Sequence, residues 1–276
     1  MKRKDGKLVK NIDSTHKIMP FLMANRTEAE VYMTETFDIT KLMEFIEEKN
    51  KDNENKITLF HAVIAAFSKT IYNRPLLNRF VAGKRFYDRY DISFGFIAKN
   101  KFSDNAEERL VILKIKEDMK LQDITNSIIK KVQKTRKENT NEMNDTLGIV
   151  TWFPRPITSF IMWIFRKLDF YGLVPKSISD GDLNYATVLI SNLGSIGCDS
   201  CYHHLNNYGT NSIVATIGTI KEVKNKKIVD ISFTADERIA DGFYFAKSIK
   251  LFKELLENPK YLEHVLNEKI EIQNKK

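Results

Sequence analysis

A charged segment towards the C-terminus, residues 229–243 (VDISFTADERIADGF), carries groups that could serve as an acid, a base or an electrostatic partner. Glu237 and Asp241 lie four positions apart, and Arg238 directly follows Glu237. Apolar and polar residues alternate before this turn, as in a half-buried strand, and apolar residues recur at helical spacing beyond Gly242. The pattern predicts a strand that ends in a charged turn and continues directly into a helix. Two carboxylates and a guanidinium are therefore expected at the end of a sheet.

Residues 191–205 (SNLGSIGCDSCYHHL) form a second segment with reactive side chains. Cys198 and Cys201 have the Cys-x-x-Cys spacing of many metal and redox sites, and His203 and His204 follow at once. Structural zinc sites usually place their second pair of ligands many residues away, so that the chain can wrap the metal. These four ligands would be cramped, and a redox motif needs a helix start that the flanking glycines do not indicate. We therefore predict neither a metal site nor thioredoxin-like chemistry here.

Strand and helix patterns alternate along the rest of the chain. The clearest helical pattern starts at Thr58, a favoured N-cap residue, and ends before Pro75. Further helices are predicted after Asp38 or Thr40 and from Leu121. Extended runs are predicted at residues 29–37, 84–98, 109–115, 185–190, 211–221 and 228–234. This alternation, without internal repeats, favours one α/β domain with a mixed sheet.

An apolar, partly helical segment at residues 152–174 is interrupted by Pro154 and Pro156. Its apolar run is too short for a membrane span, which needs ~20 residues. We expect a helix that covers the core or a partner subunit. Docking on a membrane surface is the alternative interpretation of the same pattern.

The composition is that of an ordinary globular protein. Of 276 residues, 42% are hydrophobic, enough for a sizeable core, and the formal net charge of +8 favours anionic partners. The basic residues are spread along the chain without a recognisable nucleic-acid module, so we interpret them as a solvated surface and expect no nucleic-acid partner. Two cysteines give no disulfide framework, and the N-terminus lacks the apolar core of a signal peptide. We therefore expect a cytoplasmic protein.

Three motifs together resemble the chloramphenicol acetyltransferase and dihydrolipoyl acyltransferase superfamily. Residues 20–32 (PFLMANRTEAEVY) are similar to a segment in which acetyltransferases place an arginine ahead of the first strand. Residues 187–194 (TVLISNLG) resemble the Thr-Ile-Ser-Asn-Leu-Gly strand end of dihydrolipoyl acyltransferases. Residues 236–242 (DERIADG) resemble the family motif Asp-His-Arg-x-x-Asp-Gly. The order and separation of the motifs agree with the family from about residue 16 to residue 262.

The resemblance implies an α/β fold, the chloramphenicol-acetyltransferase-like two-layer sandwich in which helices cover a mixed β-sheet. It also implies a homotrimer with active sites between subunits, which an acyl-CoA enters as co-substrate. In the family a serine hydroxyl donates to the oxyanion, and an aspartate pairs with the arginine of the first motif to fix the loop. These roles carry over to Ser191, Asp241 and Arg26. No metal is expected, and the residues that contact coenzyme A are unassigned.

The position of the family's catalytic histidine is occupied by Glu237. An ordinary glutamate has a pKa of ~4.3 and a thiol one of ~8.5, so an unperturbed carboxylate is about four units too weak to be an efficient base. Burial would raise the pKa of this carboxyl, whereas a contact with Arg238 would oppose the rise. Glu237 is therefore one candidate base, and a structural salt bridge with Arg238 is the simpler interpretation.

His203 and His204 are candidates to supply the missing imidazole. They follow Ser191 closely, and in the family the corresponding loop borders the channel between subunits. Hydrogen bonding or packing within the loop is the alternative role of this pair. We expect His61, in a helical first turn, and His264, near the C-terminus, to be incidental.

Two classes of function follow. The first is an acyltransferase with a non-standard base, which moves an acyl group from an acyl-CoA or acyl-thioester donor to an unidentified acceptor. The alternative is a catalytically inactive trimeric scaffold or ligand-binding member of the same fold, a pseudoenzyme. Loss of the histidine favours the second class, and retention of Ser191, Asp241 and Arg26 favours the first.

The domain boundaries follow from the extent of the resemblance. We predict a basic N-terminal arm at residues 1–15, an acyltransferase-like catalytic domain at 16–265 and a polar tail at 266–276. The sequence shows no lipoyl domain, subunit-binding segment or Ala/Pro-rich linker. A role in a 2-oxo acid dehydrogenase complex is therefore expected only if a lipoyl carrier protein acts in trans.

Overall fold

The alternating segment at the start of the charged motif forms strand β9 (Lys226–Asp236). The computed structural model describes residues 3–99, 108–137 and 151–270. Within it, Val229, Ile231 and Phe233 of β9 are buried among the core residues. Side chains alternate between the two faces of a strand, so the intervening polar residues face the other side. The prediction of a strand, a turn and a helix for residues 229–243 is confirmed.

The helices form where apolar residues recur at regular helical spacing. The side chain of Thr58 accepts a hydrogen bond of 3.4 Å from the N–H of His61, as the capping pattern predicts. Residues 14–22, where the sequence analysis predicts no helix, also form one, capped by Asp13. The helices are α1 (Ser14–Leu22), α2 (Thr40–Lys49), α3 (Leu59–Asn73), α4 (Leu121–Lys137), α5 (Arg155–Tyr171), α6 (Lys176–Ser179) and α7 (Gly242–Glu257).

The strands form two sheets, and the larger one has six strands in the order β2-β9-β8-β7-β5-β6. Strand β7 runs parallel to β5 and β8, and the other pairs are antiparallel, so the predicted mixed sheet is confirmed. The smaller sheet has the order β1-β4-β3. The remaining strands are β1 (Gly6–Leu8), β2 (Glu30–Asp38), β3 (Arg79–Ala82), β4 (Arg85–Arg89), β5 (Ile92–Lys99), β6 (Glu108–Ile115), β7 (Val188–Asn192) and β8 (Ile213–Val223).

Helices α2, α3, α4 and α7 cover the apolar face of the large sheet. Phe67 of α3, Phe233 of β9 and Phe252 of α7 pack with ring centroids 5.5 to 5.9 Å apart. Such tilted and edge-to-face contacts stabilise the layer boundary beyond simple burial. One face of the sheet is therefore fixed by the core, and its opposite face is left for polar side chains.

The structure describes the predicted N-terminal arm from Arg3 onward. Gly6–Leu8 pairs with β4, and the buried guanidinium of Arg3 donates a hydrogen bond of 2.7 Å to the carbonyl of Asp169. A strand needs a partner edge to satisfy its backbone groups, and β4 provides one. This basic segment therefore runs along the body of the protein.

The predicted polar tail also packs in part. Leu266 is fully buried, and its N–H donates to the carbonyl of Met119 at 3.1 Å. Residues 271–276 lie outside the described residues. No helix among residues 3–99, 108–137 and 151–270 is long and apolar enough to cross a membrane.

Candidate active site

A row of hydroxyl side chains crosses four strands of the large sheet. Ser191 of β7 pairs with Thr216 of β8, Thr216 with Ser232 of β9, and Ser232 with Thr34 of β2. Residues directly opposite each other share one face, so all four hydroxyls lie on the face away from the helices. The Oγ1 of Thr34 and the Oγ of Ser232 are 2.9 Å apart. Ser191, at the β7 end of this hydroxyl row, is exposed.

The hydroxyl row holds the loop of residues 198–205 against the sheet. Ser232 Oγ donates to Ser200 Oγ at 2.9 Å, and the N–H of Cys201 donates to Thr216 Oγ1 at 3.1 Å. Thr34 Oγ1 donates to the hydroxyl of Tyr202 at 2.9 Å. The loop therefore crosses from β8 towards β2 and carries the two histidines with it.

The glycine of the Ser-Asn-Leu-Gly turn is required by a close backbone approach. A Cβ at Gly194 would lie 2.2 Å from the carbonyl oxygen of Gly218, and one at Gly218 would lie 2.6 Å from the nitrogen of Ser200. Strand β8 has a register irregularity between Ile217 and Ile220 at the same place. The two glycines thus let the turn after Ser191 and the histidine loop cross the bulged strand.

His203 and His204 form an exposed, stacked pair. Their ring centroids are 4.8 Å apart, and His203 Nδ1 lies 2.9 Å from the carbonyl oxygen of His204. The next residue, Leu205, is fully buried, and its N–H donates to Glu30 Oε1 at 2.5 Å. A buried anchor and a charge-assisted hydrogen bond therefore fix the end of the loop directly after the pair.

Glu237 is half-buried in the turn after β9. Its N–H donates to the carbonyl of Ala29 at 2.9 Å, and Ala29 directly precedes the Glu30 that holds Leu205. The histidine pair and Glu237 are therefore attached to neighbouring residues of one chain segment. The sequence gives no indication of this role for Glu30, because an acidic residue at a strand start is usually a solvated one.

The predicted salt bridge between Glu237 and Arg238 is wrong. Arg238 instead binds Asp236, with Nε and Nη2 each 2.7 Å from a carboxylate oxygen, and donates to the carbonyl of Met23 at 2.8 Å. Asp236 is fully buried and Arg238 nearly so, which makes this two-point pair stronger than a surface contact with Glu237 would be. Arg238 is therefore committed to Asp236 and is not the partner of Glu237.

The predicted pairing of Arg26 with Asp241 is also wrong within the protomer. Arg26 is buried, donates to the carbonyls of Asn206, Val81 and Gly209, and places Nε 3.8 Å from Asp236 Oδ2. Burial lowers the pKa of Arg26, and the charge of Asp236 partly opposes that effect. Arg26 therefore holds the 206–209 segment and shares the counter-ion of Arg238.

Asp241 is occupied as the cap of helix α7. Its side chain accepts a hydrogen bond of 2.7 Å from the N–H of Tyr244, and it is exposed. An aspartate at this position satisfies one of the free N–H groups at a helix start. The Asp-Gly pair of the motif thus sets where α7 begins, directly after the turn that carries Glu237.

Ser191 and Glu237 lie far apart within one protomer. Ser232 of β9 lies two strands across the sheet from Ser191, at the same level, because both pair with Thr216. Glu237 lies five residues beyond Ser232 along the chain. At ~4.8 Å between strands and ~3.3 Å per residue, this separation is roughly 19 Å. His203 and His204 follow Tyr202, which binds Thr34 on the outer strand β2. Ser191 and Glu237 are therefore well separated within the protomer, with Ser191 on the polar sheet face and Glu237 in the turn after β9.

The other histidines and the cysteines take structural or surface positions. His61 belongs to the cap of α3, and His264 Nδ1 lies 3.2 Å from Glu268. Cys198 and Cys201 are free and exposed. Among the described residues, no three His, Cys, Asp or Glu side chains are placed to hold a metal ion.

Solved structures with the same fold include several acyltransferases. A truncated catalytic core of the 2-oxoacid dehydrogenase multienzyme complex from Thermoplasma acidophilum has a TM-score of 0.59 at 15% identity, covering 92% of this chain and 99% of that chain. The Azotobacter vinelandii dihydrolipoamide acetyltransferase has a TM-score of 0.58 at 15% identity, covering 92% and 93%. A chloramphenicol acetyltransferase has a TM-score of 0.56 at 12% identity, covering 91% and 99%. The predicted fold class is confirmed.

Sequence comparison identifies the family. A search of curated proteins finds no match. The family described as 2-oxoacid dehydrogenases acyltransferase (catalytic domain) matches residues 13–148 and 175–263, which is well over half of the sequence. This chain therefore belongs to the 2-oxoacid dehydrogenase acyltransferase catalytic domain family.

Proposed function

We propose that this protein transfers an acyl group from an acyl-CoA or acyl-thioester donor to an acceptor that bears a nucleophilic group. The observation that carries the proposal is the exposed hydroxyl of Ser191, at the end of β7 on the polar sheet face. A hydroxyl at a strand end can donate to the oxyanion that forms when a thioester carbonyl is attacked. The close contact of Gly194 with Gly218 fixes the turn that holds it.

The base is proposed to be an imidazole of the His203–His204 pair. The Azotobacter structure was determined to examine a serine, a histidine and an asparagine in catalysis, with the last two residues four positions apart. Glu237 and Asp241 have that same spacing here, so Glu237 takes the position of the histidine and another group must supply the imidazole. Imidazole is the side chain most often used to move protons near neutral pH. The pair is anchored one residue from the point that holds Glu237, so it can act where the family histidine acts.

The proposed reaction needs only an imidazole and Ser191 of this chain, together with the acyl thioester and the acceptor. The imidazole takes the proton of the acceptor, whose freed electron pair attacks the thioester carbonyl carbon. The resulting oxyanion accepts a hydrogen bond from Ser191. Collapse of the tetrahedral intermediate breaks the carbon–sulfur bond, and the imidazolium returns its proton to the departing thiolate. No metal takes part in these steps.

The site is proposed to form between subunits of a homotrimer. The hydroxyl of Tyr202, the residue directly before the histidine pair, binds Thr34, which lies three strands from Ser191. At ~4.8 Å between strands this separation is roughly 14 Å, too far for Ser191 and the pair to contact one reacting carbonyl within one protomer. A neighbouring copy can bring its Ser191 to the histidine pair of the first. This arrangement also explains why the hydroxyl of Ser191 faces outward.

Thiol release tests the proposal. The protein is mixed with acetyl-CoA or longer acyl-CoAs and a panel of amine, hydroxyl and thiol acceptors, and free thiol is measured for wild type, Ser191→Ala and Ser195→Ala. Ser195 is an exposed serine four residues away whose hydroxyl donates to the carbonyl of Asn192. We expect Ser191→Ala to lower turnover about 100-fold and Ser195→Ala to leave it within about twofold.

The inactive alternative rests on one observation, the glutamate at the family's histidine position. Calorimetric binding of coenzyme A separates the two functions. Turnover that depends on Ser191 supports the enzyme, whereas coenzyme A binding without any turnover assigns a ligand-binding role. Absence of both turnover and binding rejects the acyltransferase.

A further inference from the structure

We propose that helix α5, together with the end of helix α1, docks on the surface of an anionic lipid membrane. Helix α5 carries large apolar side chains on its outer side, among them Phe160 and Trp163, which are 60% and 55% exposed. We call this the α5 surface, and it comprises Ile157, Phe160, Trp163, Ile164, Phe170 and Tyr171. Contiguous exposed apolar surface of this kind marks an interaction site.

The apolar stripe faces away from the body of the protein. Ile157, Phe160, Ile164 and Tyr171 recur at intervals of three, four and seven residues, which places them along one side of a helix. Asp169, on another side, is buried and accepts a hydrogen bond of 2.9 Å from the hydroxyl of Tyr185. The helix is therefore attached through Asp169 while its apolar side is presented outward.

Helix α1 extends the same surface. Ile18, Phe21 and Leu22 are 49%, 56% and 72% exposed. The turn between β3 and β4 joins the two helices, because Lys84 Nζ lies 4.6 Å from the ring centroid of Phe21. In the same turn, a Cβ on Gly83 would lie 2.4 Å from the carbonyl oxygen of Phe170. Apolar side chains of both helices therefore border one turn.

The charges around this surface are positive. Across residues 151–174, all of which the structure describes, the acid is the buried Asp169 and the cations are the exposed Arg155, Arg166 and Lys167. Lys84, in the turn between β3 and β4, lines a cleft beside the helix together with Arg166 and adds a fourth cation. Aromatic and aliphatic side chains with a basic rim are the composition of helices that lie in the headgroup region of anionic membranes.

A membrane fits this surface better than a second copy of the chain. In a twofold contact, two such surfaces would face each other and bring their exposed cations together, which costs free energy, and the homotrimer proposed above is not built from twofold contacts. Residues 149–174, which include α5, lie between the two segments that the family model matches. Tryptophan and tyrosine are enriched where a protein meets the membrane interface.

Tryptophan fluorescence tests the proposal directly, because the two tryptophans of the sequence, Trp152 and Trp163, both lie in this segment. The full chain is titrated with vesicles of phosphatidylglycerol and phosphatidylcholine in equal amounts, and with phosphatidylcholine alone. We expect a blue shift and co-sedimentation with the anionic vesicles, with an apparent affinity at least about tenfold higher than for neutral vesicles. An unshifted spectrum and no sedimentation with anionic vesicles would overturn the proposal.

Matched variants identify the contact. Phe160→Ser with Ile164→Ser is expected to abolish sedimentation, whereas Tyr90→Ser, at a side chain 63% exposed elsewhere, keeps it. Arg166→Glu with Lys167→Glu is expected to weaken binding at least about tenfold, and Lys250→Glu on α7 is the charge control. Circular dichroism checks that each variant is folded.

If the emission of wild type shifts with protein concentration and not with lipid, a second copy covers the surface and the membrane proposal is wrong.

Discussion

The carboxylate of Glu30 accepts a hydrogen bond of 2.5 Å from the N–H of Leu205, the residue that follows the two stacked histidines. The preceding residue, Ala29, accepts the N–H of Glu237. Two segments that lie far apart in sequence are therefore attached side by side at the start of β2. This contact defines the geometry of the base side of the proposed active site.

Glu30 is thus expected to be a positioning residue. Glu30→Ala removes the acceptor for Leu205 and should lower kcat about tenfold or more, with KM for the acyl-CoA nearly unchanged, since the imidazole would be misplaced and the donor site would not. Glu30→Gln retains an acceptor oxygen and should restore most of kcat. Steady-state kinetics measure both parameters. Equal losses in the two variants would show that the hydrogen bond to Leu205 is not what matters.

The buried pair of Asp236 and Arg238 is expected to dominate local stability. Asp236→Asn leaves two buried arginines without their carboxylate and should destabilise the fold by about 3 kcal/mol or more. Asp230→Asn, on the same strand but paired with the exposed Lys221, should cost less than about 1 kcal/mol. Denaturant unfolding of both variants gives the comparison. Similar losses would contradict the assignment of Asp236 as shared counter-ion.

Arg26 should be energetically coupled to Asp236 and not to Asp241. Asp241→Ala is expected to cost about 1 kcal/mol through loss of the α7 cap, and Asp241→Asn much less, because asparagine is also a good cap. In a double-mutant cycle with Arg26→Ala, the cost of Asp241→Ala should simply add. Non-additivity above about 1 kcal/mol would restore the pairing predicted by the family resemblance.

His61 is expected to make stability depend on pH. Burial lowers the pKa of His61 to about 4, and its Nδ1 accepts the N–H of Thr58 at 3.3 Å, which requires the neutral ring. Below pH ~6.5 the unfolded chain binds a proton here that the folded chain does not bind until about pH 4. The free energy of unfolding should therefore fall by about 3 kcal/mol as pH drops through that window.

The control for His61 is His61→Gln, because glutamine can accept the same hydrogen bond at N3 but does not titrate. Chemical unfolding from pH 7 to pH 4 should show a smaller loss of stability in this variant than in wild type. Parallel profiles for the two proteins would mean that His61 is not the group responsible.

The sequence predicts the elements of the fold better than the contacts of its charged residues. Alternation in β9 and the cap at Thr58 are local patterns, and both are confirmed because local spacing determines which face is buried. The partner of Arg26 depends instead on how β2, β9 and the 206–209 segment pack. Asp236 and Asp241 are both acids of one motif, and only tertiary structure shows that the first is buried and the second caps a helix.

The candidate site shows the same limit. Ser191 could be found because residues 187–194 resemble the Thr-Ile-Ser-Asn-Leu-Gly strand end of a known family, and the structure adds that the glycine allows a close backbone approach. Glu30 could not, because its significance comes from a loop that returns to it across 175 positions. The sequence allowed three interpretations of the apolar side of α5: it could cover the core, a partner subunit or a membrane surface. The exposure of its side chains excludes the first.

Mixed oligomers test the central claim most directly. Chains carrying Ser191→Ala and chains carrying His203→Ala with His204→Ala are purified separately and also co-expressed in equal amounts with different tags. Each variant alone should be nearly inactive in thiol release. If each site of a trimer joins Ser191 of one chain to the histidines of its neighbour, one site in three of every mixed trimer is intact, and co-expression should restore about a quarter of wild-type activity. Activity no higher than that of the separate variants would contradict a site shared between subunits.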